Sequence, residues 1–193
     1  MLTVADVQMA AERIASYVRR TPLIGARCLK ENPFPECELL LKLECLQVTG
    51  SFKPRGATNK LLSLSEADVR RGIITASGGN HGLAVAYAGW LAKTRTTVYV
   101  PENVSPDKKK KLAAWGATVE VCGHHWHEAN REALAVAERD GLTYFHPFAD
   151  PAVIAGQGTV ALEVLEQAPE VDTLLVAIGG GGLISGVALA AKA

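Results

Sequence analysis

Short apolar runs alternate along the chain with stretches of helical period. The runs Leu39–Leu43, Ile73–Ala76, Thr97–Pro101, Thr118–Cys122, Tyr144–His146 and Thr173–Ile178 are of strand length, often β-branched, and bounded by Gly, Pro or polar residues. Between them, apolar positions recur at helical spacing over Val4–Arg19, Pro54–Leu64, His81–Ala92, Asp107–Trp115, His127–Arg139, Pro151–Gln167 and Leu183–Lys192. This alternation predicts an α/β fold with a mainly parallel sheet. In such folds ligands bind beyond the carboxyl ends of strands, where loops enter helices, so those loops are the places to seek chemistry. No repeat of solenoid period and no low-complexity linker interrupts the pattern.

Composition agrees with a globular protein: 193 residues, 48% hydrophobic, 21% charged and 6% aromatic. Twenty Lys and Arg balance twenty Asp and Glu, which argues against a broad basic footprint for nucleic acid or an anionic membrane. The first twenty residues contain acids and no continuous apolar core, and no window holds the roughly 18 apolar residues of a membrane span. Cys28, Cys37, Cys45 and Cys122 lie far apart with no C-x-x-C spacing. They are expected to be reduced, buried or half-buried thiols of a cytoplasmic protein rather than a disulfide framework or zinc site.

Three strand-to-helix junctions stand out. Thr49-Gly50-Ser51-Phe52-Lys53-Pro54-Arg55-Gly56 places one Lys between an aromatic and a Pro at a helix start. Ser77-Gly78-Gly79-Asn80-His81-Gly82 follows the strand Ile73–Ala76, and Gly179-Gly180-Gly181-Gly182-Leu183 follows Thr173–Ile178. Four glycines there let the backbone approach a ligand and aim consecutive N–H groups at a phosphate, with the helix dipole assisting. A flexible loop is the alternative. The spacings of a dinucleotide fingerprint, a Walker A loop and a nucleophile elbow are all absent. The second junction suits a carboxylate, although Ser and Asn also cap ordinary helices, and Lys53 by itself could be a solvated charge.

Together, an amine, a carboxylate loop and a phosphate loop match a cofactor bearing an aldehyde and a phosphate, with an amino acid as substrate. The runs SFKPRGATNK, ASGGNHGLAVAYAG and GGGGLISG, in this order and spacing, resemble the fold type II pyridoxal-phosphate enzymes, specifically the threonine/serine dehydratase and serine racemase group. VPENVSPDKKKKLAAWGATV and HPFADPAVIAGQGTVALEV are also similar to that group, so the likeness extends from about Thr21 onward.

The resemblance implies two open, mainly parallel twisted sheets flanked by helices, the tryptophan synthase β-like architecture. Residues 54–146 would form a small domain, and residues 1–53 and 147–193 a large cofactor domain. Members of the group continue well past the polyglycine motif, so that large domain is expected to be incomplete. By the same resemblance, Lys53 is the catalytic lysine that bonds covalently to pyridoxal 5'-phosphate, with Phe52 packed near the cofactor. Asn80 bonds its 3-hydroxyl, and Gly179, Gly180, Gly181, Gly182 and Leu183 hold its phosphate. Ser77, Gly78, Gly79 and His81 receive the substrate carboxylate, and Gln157 lies near the substrate.

The implied reaction is β-elimination of L-threonine or L-serine to a 2-oxo acid and ammonia. Racemases of the group carry Ser at the position of Gly78, which has no proton to give, and the cysteine synthase branch has Thr where His81 stands. Other enzymes of the group, namely a hydroxyaspartate dehydratase, a serine racemase or a β-replacing synthase, and a catalytically inactive, truncated cofactor-binding module remain as alternatives. A homo-oligomer is expected, with no metal, nucleic acid or membrane partner. His124, His125 and His127 read as a polar surface loop, Lys108–Lys111 as a solvated helix face, and Trp90, Trp115 and Trp126 as core or interface aromatics.

Overall fold

A computed structural model describes residues 1–26 and 36–192. The element order is α1 (Val4–Ile14), β1 (Leu23–Gly25), β2 (Leu40–Lys42), a 3₁₀ turn (Glu44–Leu46), α2 (Lys53–Ser63), α3 (Glu66–Arg71), β3 (Ile73–Ala76) and α4 (Asn80–Ala92), then β4 (Thr96–Val100), α5 (Pro106–Ala114), β5 (Thr118–Val121), α6 (Trp126–Asp140), β6 (Thr143–Tyr144), α7 (Pro151–Gln167) and α8 (Gly182–Ala191).

Four strands form a parallel sheet in the order β5-β4-β3-β6. β3 is central and buried at every residue, as expected for a strand covered on both faces. Its side chains alternate between two layers. Ile73 packs with Ala57 and Leu61 of α2, Ala84, Val85 and Ala88 of α4, and Phe145. Ile74 and Ala76 face Ala133, Val136 and Ala137 of α6. A third cluster joins Ala86 of α4, Val98 and Val100 of β4, and Leu112 of α5. A fourth joins Val7 of α1, Ala161 of α7, and Val187 and Ala190 of α8.

β1 and β2 form a separate antiparallel ribbon, in which Ile24 lies opposite Leu41. The expected strand Thr173–Ile178 is not part of a sheet. Among the described residues no strand lies beside it, and Leu175 and Ile178 are 77% and 72% exposed. A strand needs a neighbour to satisfy its ladder, so an apolar run without one stays outside the sheet. Only one of the two expected parallel sheets is therefore present among the described residues. Two thiols also differ from expectation, since Cys37 and Cys45 are exposed, whereas Cys122 is half-buried as expected and Cys28 lies outside the described residues. The surroundings of the exposed pair, a turn and a short 3₁₀ segment, have no apolar layer over them.

Helix α7 is the element on which the other helices are gauged. A Cβ on its Gly156 would lie 2.5 Å from the Arg55 carbonyl oxygen in α2, and one on Gly158 would lie 2.8 Å from the Gly186 carbonyl oxygen in α8. Both crossings require glycine because the backbones themselves are in contact.

Candidate functional site

Lys53 opens α2, with Pro54 in the first turn, where a missing N–H costs nothing. Its Nζ donates to the Pro147 carbonyl oxygen at 2.7 Å and lies 5.2 Å from the centre of the Phe52 ring. Burial lowers the Lys53 pKa from the ordinary lysine value, because an apolar surrounding disfavours the ammonium form.

The second junction forms the start of α4. Gly79 is its N-cap and no side chain caps it, which leaves first-turn N–H groups for a ligand. Ser77 Oγ accepts from the Gly79 N–H at 3.3 Å, and a Cβ on Gly78 would lie 2.5 Å from Cγ2 of Val104. Asn80 is exposed, with its side chain at the mouth of the helix. The ring of His81 is instead turned inward: it is 4% exposed, and Nε2 lies 3.0 Å from the Phe145 carbonyl oxygen. Burial pushes its pKa down to about 3. His81 stands in the first turn of α4, and its imidazole is bonded to the protein's own backbone.

The third junction opens α8. Gly181 is the N-cap with φ +89°, a conformation that favours glycine. At Gly179 and Gly181 a Cβ would meet no protein atom within 4 Å, so packing does not demand bare backbone there. At Gly180 and Gly182 it would collide with Phe148. Leu183 is half-buried against the cluster formed by α1, α7 and α8. Gln157 lies away from these loops, 1% exposed in the seam between α2 and α7, where its Oε1 accepts from the Gly56 N–H at 3.3 Å.

Residues that the sequence did not single out tie the junctions together. The segment 145–150 runs from the end of β6 into α7 and touches all three: Phe145 accepts from His81, Pro147 accepts from Lys53, and Phe148 packs on Gly180 and Gly182. His146 Nδ1 closes its turn by accepting from the N–H groups of Phe148 at 3.2 Å and Ala149 at 2.8 Å. Asp150 caps α7 and pairs with Lys60. The signal that could have found this segment is the rule that found the others, since it is a loop from a strand's carboxyl end into a helix.

Two further supports lie beneath the junctions. The Arg55 guanidinium, 0% exposed, donates to Glu44 at 2.8 and 2.7 Å, to Glu163 at 2.6 and 3.0 Å, and to Thr159 Oγ1 at 3.1 Å. Lys42 Nζ completes the cluster by donating to Glu163 at 2.6 Å. Although burial opposes it, the bonds to Glu44 and Glu163 raise the Arg55 pKa. Trp126, read from the sequence as a core or interface aromatic, is 44% exposed and donates its indole N–H to the Ala76 carbonyl oxygen at 2.8 Å, one residue before Ser77.

Among the described residues, no group of three or more His, Cys, Asp or Glu could hold a metal ion, and no helix is long and apolar enough to cross a membrane.

The family described as pyridoxal-phosphate dependent enzyme matches residues 14–193. L-threonine ammonia-lyase of Thermotoga maritima is 43% identical over 192 residues, covering 100% of this chain and 47% of that protein. The catabolic L-threonine dehydratase TdcB of Staphylococcus aureus is 40% identical, covering 100% and 55%. Among solved structures, maize serine racemase superposes with a TM-score of 0.93 at 38% identity, covering 99% of this chain and 57% of that one. The processed form of threonine deaminase isoform 2 from Solanum lycopersicum superposes with a TM-score of 0.91 at 35% identity, covering 98% and 51%. The chain spans about half the length of the curated relatives it matches.

Proposed function

This chain belongs to the pyridoxal-phosphate dependent enzyme family, and on that premise we propose that it carries the amine, carboxylate loop and phosphate loop of an enzyme that dehydrates L-threonine or L-serine. The observation behind this reading is that one segment, 145–150, contacts the Lys53 amine, the start of α4 and the start of α8.

The donor set suits the cofactor: an amine whose charge is disfavoured by burial, two helix starts without side-chain caps, and open space at Gly179 and Gly181 of the glycine loop. When bound, pyridoxal phosphate supplies an aldehyde for covalent attachment and a conjugated ring that accepts the electron pair left by a departing α-proton. Gly179 to Leu183 hold its phosphate through backbone N–H groups at the positive end of α8. Asn80 bonds its ring hydroxyl, and Phe52 packs beside it. Ser77, Gly78 and Gly79 receive the substrate carboxylate at the start of α4. His81, buried, shapes that end of the site from behind, and Gln157 supports the Lys53 helix through Gly56.

Lys53 acts in two roles. As a neutral amine it would bond covalently to the cofactor's aldehyde. When free of the cofactor, Nζ would take the substrate's α-proton as general base, and that proton would balance the one carried off when the β-hydroxyl is lost as water. The unsaturated amine released would take up water to give a 2-oxo acid and ammonia. A racemase would need a second proton donor across the substrate, and Gly78 supplies none, while a side chain there would have to displace Val104. Residues 54–146 would form the small domain, with 1–53 and 147–193 contributing to the large one, in a cytoplasmic homo-oligomer. The relatives named as threonine ammonia-lyase and dehydratase support the choice of reaction.

The test uses the full-length protein. Adding pyridoxal phosphate is expected to produce the absorbance of covalently bound cofactor, and Lys53→Ala to abolish it. A panel of amino acids is expected to give 2-oxo acid and ammonia from threonine and serine. Retained absorbance and turnover in Lys53→Ala would sink the proposal. Ser77→Ala is expected to raise KM with cofactor binding intact.

A further inference from the structure

Core filling does not account for His81. Its partner, the Phe145 carbonyl, can only accept, so the imidazole proton sits on Nε2 and Nδ1 is a bare lone pair. That Nδ1 is buried and has no hydrogen-bond partner. An imidazole with one unsatisfied nitrogen costs more to bury than an apolar side chain of similar size. Nor does the carbonyl need it for satisfaction, because Thr75 Oγ1 already donates to the same oxygen at 2.8 Å.

A second donor adds direction. Phe145 is held by its own N–H to the Ile74 carbonyl at 2.8 Å, and its oxygen by donors from β3 and α4 at once. The next residue, His146, closes the turn over Phe148 and Ala149. The Pro147 carbonyl that receives Lys53 Nζ therefore sits between a peptide fixed on both sides and a closed turn. Burial holds His81 neutral around neutral pH, so there the ring acts as a fixed donor and not as a proton carrier.

We propose that His81 is a positioning residue for Lys53: as a permanent Nε2–H donor it aligns the Phe145 carbonyl, and through the turn at His146 and Pro147 it sets the place of the reactive amine relative to the start of α4. This rests on the reading of Lys53 as the amine that bonds the cofactor. It couples the carboxylate loop to the amine through the backbone of segment 145–150, and it gives the two ring nitrogens of one residue different parts.

The test compares two amides in the full-length protein with pyridoxal phosphate and threonine. In His81→Gln the amide reaches the place of Nε2, and in His81→Asn it reaches only that of Nδ1. His81→Gln is expected to keep kcat and the rate of covalent cofactor attachment within about threefold, whereas His81→Asn, folded by circular dichroism, loses about tenfold or more in both, with KM nearly unchanged. His81→Asn is also expected to shift the pH midpoint of cofactor attachment, which loss of stability alone does not move. Thr75→Val, which removes the other donor to the same oxygen, is expected to lower kcat in the same direction. Equal behaviour of the two amides, or a rise in KM with kcat retained, would overturn the proposal. Lys53→Ala is measured alongside: retained cofactor attachment there would refute the reading of Lys53, independently of the His81 variants.

Discussion

Lys53 Nζ meets the Pro147 carbonyl oxygen at 2.7 Å across 94 positions of sequence, so the amine that opens α2 is held by the entrance to α7. The contact places a chargeable amine where burial disfavours its charge. Below its folded pKa the folded protein bears the full cost of the buried ammonium, and above the unfolded value of 10.5 both states are neutral and the cost is gone. Lys53→Met in the cofactor-free, full-length protein is therefore expected to raise stability at pH 7. A gain on the order of 1 kcal/mol, or about 2–4 °C in Tm, is anticipated for a protein of this size class. Repeating the melt above pH 10.5 should remove the difference; an equal gain at both pH values would assign it to packing instead.

The depressed pKa of His81 has the same sign of consequence, in a more acidic window. Its folded value of about 3 lies below the ordinary 6.5, so the unfolded chain binds a proton that the folded chain refuses. Stability attributable to this residue is intact above pH 6.5 and is lost as pH falls from 6.5 toward 3, with a limiting slope of about 1.4 kcal/mol per pH unit. Denaturant titrations of the wild type and His81→Gln between pH 7 and pH 4 should show a shallower acid decline in the variant. Parallel curves would place the acid sensitivity elsewhere.

These contacts also mark where sequence pattern stops being informative. β3 and α7 are found at Ile73–Ala76 and Pro151–Gln167, where their periodicity and their flanking residues place them, because burial on two faces and an Asp-Pro helix start are local signals. The glycine-rich starts of α4 and α8 were equally legible, since glycine density before a helix is a property of a few adjacent residues. Thr173–Ile178 has the composition of a strand, yet a strand is a relation between two segments, and no second segment is beside it among the described residues. Segment 145–150 escaped for the same reason: Pro147 matters through a carbonyl, which every residue has. Arg55 could be recognised as a buried charge only once Glu44 and Glu163, 11 and 108 positions away, were brought to it.

That buried cluster gives a third expectation. Arg55 and Lys42 face Glu44 and Glu163, two charges against two, and each cation has at least three acceptors. Removing one partner leaves an uncompensated charge in the interior, at a cost of about 3–5 kcal/mol, while the pair's net contribution is far smaller. Glu163→Gln is thus expected to destabilise severely, and Arg55→Met still more, since it strands two carboxylates. Urea unfolding of the two variants against wild type checks the order. Losses under about 1 kcal/mol would mean that water reaches the cluster and screens it.

The glycine loop that opens α8 separates two reasons for glycine that a sequence cannot tell apart. Gly180 lies against the Phe148 ring, where a methyl group would have to displace an aromatic that also borders Gly182. Gly181 has open space around it but adopts φ +89°. Gly180→Ala is therefore an overpacking change, costing about 1–3 kcal/mol, and it should weaken the fold and cofactor affinity together. Gly181→Ala strains a left-handed residue by about 1–2 kcal/mol, and relief comes by rotating the peptide that aims the first N–H of α8. Its affinity for inorganic phosphate and for pyridoxal phosphate should fall more than its Tm does. Isothermal titration with both ligands, paired with thermal melts, distinguishes the cases: if Gly181→Ala loses stability but binds phosphate as the wild type does, the start of α8 does not hold the phosphate and the cradle must be sought at Gly179 instead.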